Sequence, residues 1–142
     1  MHNLFLDTNI IIDYLGNRVP FDKYAKQLFD DFLDNKYLGH TSIINLIHAH
    51  YQLRKTLNES DARFVINRIA DVLKISDIPR SLAKDALKNL IVKDFEDAVQ
   101  YELAISAKSD FFITRNLKDF PVSAPFVVCD AETYLNKYRL IE

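Results

Sequence analysis

The sequence predicts an α/β fold: a three-layer α/β/α sandwich with a central parallel sheet. Three observations predict it. Short apolar runs without helical spacing recur along the chain. Segments with apolar residues about 3.6 apart lie between them. Strands that alternate with helices in this way argue for a parallel sheet covered by helices on both faces.

The elements follow in order. NLFLD (3–7) reads as a buried strand, and the chain after it as a first helix that carries Asp13. Phe21, Tyr24, Ala25, Leu28, Phe29, Phe32 and Leu33 give an amphipathic helix over 21–34. YLGHT (37–41) is a short strand, followed by helices over 42–56 and 60–72. Residues 73–78 form an extended segment ended by Pro79. Leu82, Ala83, Ala86, Leu87, Leu90 and Ile91 mark a helix over 81–91, and 95–108 another. DFFIT (110–114) and FVVC (126–129) are strands, and a closing helix over 131–138 is capped by Asp130.

Composition limits the function classes. With 49% apolar residues in a chain of 142, a sizeable core forms without staples, and residues 1–142 read as one domain. The single cysteine, Cys129, sits in an apolar run and is expected to be a small core residue; no disulfide framework is possible. Two glycines leave no glycine-rich phosphate loop. No apolar run approaches the ~20 residues that span a bilayer, and MHNLFLD has no leader pattern, so a cytoplasmic location without membrane contact is expected. A net charge of −2 means that a polyanion must be met through a local basic patch or a bound cation.

The polar residues at strand ends carry the chemistry. Ligands of such sheets bind beyond the carboxyl ends of the strands, and there the sequence places Asp7, then Asn116 and Asp119. Asp94 and Asp97, in KDFEDA, open a helix. Asp94 is a natural helix cap, Asp97 suits the positive helix end, and Asn116 and Asp119 suit a turn. Asp13 reads as a solvated charge. Asp7, between FL and TNIII, is expected to be partly buried, and an unpartnered buried carboxylate costs several kcal/mol. A hard divalent cation between Asp7 and Asp97 would relieve that cost, since Mg²⁺ takes one or two carboxylates plus water.

DTNIIIDYL, DFEDAVQYELAISAKSDFFITRNLKDF and the closing AETYL resemble, in order and spacing, the PIN-domain family, which includes the VapC-type toxin ribonucleases of bacterial toxin–antitoxin pairs. The resemblance implies a PIN-like sandwich and a Mg²⁺- or Mn²⁺-dependent endoribonuclease. Its partners would be RNA, a small antitoxin and a second copy of the chain as a homodimer. It also implies Asp7 and Asp97 as metal ligands, and Asp7, Asp97, Asn116 and Asp119 as the catalytic set. Asn9, Asp94 and Thr114 would support them, and Lys93, Arg115 and Lys118 would meet RNA. The family's second acid is missing: counting from Ser42 places His48 there, as a neutral ligand, a base or a core histidine. That departure leaves a second reading, a degenerate, non-catalytic PIN-like binding module. A phosphatase on a similar sheet would need a strand-end Asp-x-Asp, which is absent.

Overall fold

The structure is a computed structural model and describes residues 1–121 and 123–139. Five short strands form one sheet: β1 (Asn3–Leu6), β2 (Leu38–Ser42), β3 (Lys74–Ser76), β4 (Phe111–Ile113) and β5 (Val127–Cys129). All four pairings are parallel, in the order β3-β2-β1-β4-β5. The helices are α1 (Thr8–Leu15), α2 (Asp22–Leu33), α3 (Ile43–Leu53), α4 (Glu59–Val72), α5 (Arg80–Lys88), α6 (Phe95–Ser106) and α7 (Ala131–Thr133). A 3₁₀ turn spans Leu117–Asp119, and a π-helical turn, Tyr134–Tyr138, continues α7.

Strand geometry sends alternate side chains to opposite faces, and the sheet uses both. Leu4, Leu6, Phe111 and Ile113 pack with Ile10, Leu28, Leu46, Ile69 and Tyr134 of the helices on one face. Phe5 and Phe112 point the other way, into α5 and α6, where Leu82, Val99 and Leu103 cover them. Their rings stack at 5.4 Å between centroids. The sandwich expected from the sequence is therefore present, and its interior strands β1 and β4 are apolar apart from Asn3 because helices cover both their faces. Cys129 is buried in this core, and burial pushes its thiol up to about 12, the state of an inert small residue.

Most element boundaries fall within two residues of the sequence reading. The helix expected over 81–91 stops at Lys88 instead. The Oδ1 of Asn89 accepts hydrogen bonds from the backbone N–H of Ile91 and Val92, which turns the chain out of the helix. One reading needs correction: Asp13 is not a solvated charge. It is buried and accepts two hydrogen bonds from Arg115, Nε at 2.9 Å and Nη2 at 3.0 Å.

The order of strands positions the site. From β1 the chain moves one way to β2 and β3, then crosses to β4 on the other side of β1. Connections leave to opposite faces at the carboxyl ends of β1 and β4, and a crevice opens at such a switch point. Asp7 follows β1 there, and Thr114 follows β4. No helix among the described residues is long and apolar enough to cross a membrane.

Candidate active site

Asp7 begins at the switch point because its backbone N–H still donates to Ile113 O at 3.0 Å, continuing the β1–β4 pairing. Its own backbone is extended and caps α1, with Oδ1 accepting from Thr8 N at 2.7 Å. Its Oδ2 accepts from Thr114 Oγ1 at 2.8 Å. Thr114 is fully buried and uses its whole hydroxyl: it also accepts from Asn9 Nδ2 and from Asn116 N. Asn9 Oδ1 in turn accepts from Arg115 N at 3.1 Å. The DTN segment and the TRN segment are thus interlocked, which explains why both polar triplets interrupt apolar runs.

A second set of buried bonds ties α1, α3 and α6 together below the rim. Thr8 Oγ1 donates to Asn45 Oδ1 at 2.7 Å, and Gln100 Nε2 donates to the same oxygen at 2.8 Å. Asn45 Nδ2 donates to Leu6 O, Thr41 Oγ1 and Gln100 Oε1 within 3.2 Å. Ser42 Oγ closes the set by donating to Gln100 Oε1 at 3.1 Å. Gln100 lies one turn beyond Glu96 and Asp97, so this network fixes the α6 acids relative to Asp7. Gln100 was missed in the sequence; the available signal was a polar residue among Ala98, Val99, Leu103 and Ala104, all apolar and buried.

The acids share one electrostatic field. Asp7 is only 8% exposed, and burial raises its pKa against the opposing hydrogen bonds from Thr114 and Thr8; the charge of Asp119 raises it further. Asp97 is raised to about 7, first by burial and then by Asp94, Asp119, Asp7 and Glu96. Glu96, which the sequence reading passed over, is raised by burial and by Asp7 and Asp94. The structure therefore puts Asp7, Asp94, Asp119 and Glu96 within electrostatic range of Asp97. Asp94 also has the ordinary role foreseen for it: its Oδ2 caps α6 by accepting from Asp97 N at 3.1 Å.

His48 lies at this site rather than in the core. It is half-buried on α3, with Nδ1 at 3.6 Å from Glu96 Oε1, and its charge acts to lower the pKa of Asp7. Asn116 and Asp119 are exposed on the 3₁₀ turn at the rim. Of the three cations named from the sequence, Arg115 is committed elsewhere: besides Asp13, it lies 4.2 Å over the Phe21 ring. Lys93 and Lys118 line the same cavity as Asp94, Asp97 and Asp119.

Among the described residues no group of three His, Cys, Asp or Glu side chains is arranged to hold a metal ion. The donor set still fits a hard divalent cation in its chemistry. It offers carboxylate oxygens, and its two central acids, Asp7 and Asp97, are lifted in pKa by burial and by neighbouring negative charge. A hard divalent cation needs one or two carboxylates and takes its other ligands from water.

Comparison with known proteins places this geometry. A family model described as the PIN domain matches residues 3–118. Ribonuclease VapC1 of Aquifex aeolicus is 30% identical over 107 residues, covering 71% of this chain and 72% of its own. A toxin–antitoxin complex from Klebsiella pneumoniae contains a chain with a TM-score of 0.67 and 25% identity, covering 88% of this chain and 95% of that one. A chain of VapBC-1 from nontypeable Haemophilus influenzae has a TM-score of 0.66 over 92% of this chain and 98% of its own; at 19% identity that likeness is one of fold.

Proposed function

The chain belongs to the PIN-domain family, and we propose on that basis that it is a Mg²⁺- or Mn²⁺-dependent endoribonuclease of the VapC toxin type, the whole chain acting as one domain. One observation carries the reading. Asp7 is a buried carboxylate at the switch point of the sheet with no cationic side chain bonded to it among the described residues, whereas buried Asp13 and Asp31 each hold an arginine. A carboxylate left in that state is suited to an exogenous cation.

In this reading Asp7 and Asp97 hold the ion, which when bound supplies an activated water and neutralises charge on the scissile phosphate. The remaining steps fall to the chain. Thr114 and Thr8 fix both oxygens of Asp7, so the carboxylate meets the ion without rotating. The Asn45–Gln100 pair holds α6, and with it Asp97, against α1. Asp119 and Asn116, exposed at the rim, orient the attacking water. Lys93 and Lys118 receive RNA phosphates, with the salt dependence that such contacts bring. A small antitoxin, a homodimeric state and a cytoplasmic location accompany the same reading.

Cleavage of RNA by purified protein tests it. Asp7→Asn and Asp97→Asn each lower Mg²⁺-dependent cleavage by on the order of 100-fold or more, since loss of even an outer partner of a metal site costs 10- to 100-fold. Retained cleavage in either variant ends the assignment. One observation favours the second reading, a non-catalytic binding module: His48 stands where the resemblance puts an acid. Wild-type protein that binds RNA and never cuts it selects that reading.

A further inference from the structure

Beside the acidic rim lies a cavity of about 280 Å³, between the α5–α6 connection and the 3₁₀ turn. Ile91 and Lys93 line it from one side, and Lys118, Phe120 and Pro121 from the other. Both sides are held by the fold. Asn89 fixes the first by accepting from Ile91 N at 2.9 Å and Val92 N at 3.0 Å, while its Nδ2 reaches Glu102 Oε1 on α6 at 3.3 Å. The second rests on Phe120, whose ring packs 4.4 Å from that of Phe112 in the core.

The charges of this cavity are unspent. Lys93 and Lys118 are exposed, and among the described residues neither has a carboxylate within 4.0 Å, although Asp94, Asp97 and Asp119 line the same space. Ile91 keeps 68% of its surface in water next to them. Two ammonium groups without an ion-pair partner among the described residues, beside an apolar wall, match a ligand with phosphate at one end and a flat apolar face at the other. The volume lies just under the ~300 Å³ at which small-ligand pockets begin, so it holds one such unit.

We propose that this cavity receives one unpaired RNA nucleotide adjoining the scissile bond, with Lys93 and Lys118 on its phosphates and Ile91, Phe120 and Pro121 against its base. The assignment rests on the nuclease reading above and deepens it. Duplex RNA keeps its base faces stacked, so only an unpaired nucleotide offers one to this wall.

The test measures binding separately from cutting. Protein carrying Asp7→Asn, checked for folding by circular dichroism, is titrated with a fluorescent single-stranded RNA over a range of salt in Mg²⁺. Adding Lys93→Gln and Lys118→Gln flattens the slope of log K against log salt by about 1.4, at about 0.7 per phosphate contact on single strands. A blunt-ended RNA duplex of the same strand length competes at least about tenfold more weakly than the single strand, since base stacking on a protein wall is worth about 1–3 kcal/mol. An unchanged slope, or equal competition by the duplex, overturns the subsite and leaves the nuclease reading standing. RNA binding absent from every form, with no cleavage by wild type, overturns both.

Discussion

Two regions of the molecule bury an aspartate, and they treat it in opposite ways. On α2, Asp31 is fully buried and saturated by the protein. Arg139 reaches both its oxygens at 2.8 Å, Tyr37 Oη donates at 2.6 Å, and Gln27 and Lys36 add further bonds. Burial works to raise its pKa, but these bonds together outweigh it and hold the carboxyl below the usual range. At the tip of β1, Asp7 is nearly as buried and receives two neutral donors and, among the described residues, no cation, so burial prevails and its pKa rises. That difference is what supports the proposal that Asp7, unlike Asp31, serves an exogenous cation.

The contrast can be broken by mutation. Asp31→Ala strands the Arg139 guanidinium and is expected to cost about 3–5 kcal/mol of stability, as loss of one partner of a buried ion pair does. Asp7→Asn removes a charge that burial disfavours and is expected to change stability by less than about 1 kcal/mol. Urea denaturation of the two variants compares them. Equal losses would mean that Asp7 is as structural as Asp31.

Next in size is the network beneath the rim. Asn45→Ala leaves Gln100 Nε2 and Thr8 Oγ1 without their partner, at a cost of about 2 kcal/mol for the stranded groups. Because this network sets α6 against α1, cleavage should fall further than the stability loss alone explains. A variant that loses stability and keeps full activity per folded molecule would show that the network only holds the core.

pH separates the two regions by sign. In the unfolded chain Asp97 titrates near 3.8, and in the folded protein near 7. Between those values the folded state holds the extra proton, so stability falls as pH rises from about 4 to about 7 and then levels off. Asp7 and Glu96, also raised, act in the same direction. Asp31 runs the other way: its contribution is present above 3.8 and is lost as pH falls through its lowered folded value. Thermal midpoints recorded across pH 3–8 should show both slopes, and Asp97→Asn should flatten only the upper one. The smallest effect is expected at Lys36→Ala, which removes a half-exposed member of the Asp31 cluster and costs less than about 1 kcal/mol by denaturant titration.

How much of this was legible in the sequence depends on how local each cause is. The sandwich was legible because apolar spacing is a local property, and so were Asp94 as a helix cap and Asp7 as a carboxylate trapped between apolar residues. Asp13 was misread as solvated because the arginine that neutralises it lies 102 residues away. Gln100 and Asn45 are 55 residues apart, so nothing local marks them as a pair. Glu96 shares the first turn of α6 with Asp97, and only the rotation of that helix on the sheet decides that both acids join the field of Asp7. Lys93, Arg115 and Lys118 were alike as sequence; their separation into two cations without a carboxylate partner among the described residues and one engaged by Asp13 is a tertiary fact.

The acids at the end of β1 and the start of α6 are expected to take up a divalent cation. Calorimetric titration of the protein with Mn²⁺ at pH 8, above the value of about 7 to which Asp97 is raised, tests this. Saturable binding is expected in the wild type and is lost with Asp7→Asn and with Asp97→Asn. A wild-type protein that gives no binding heat, or variants that bind as well as it does, would contradict the account.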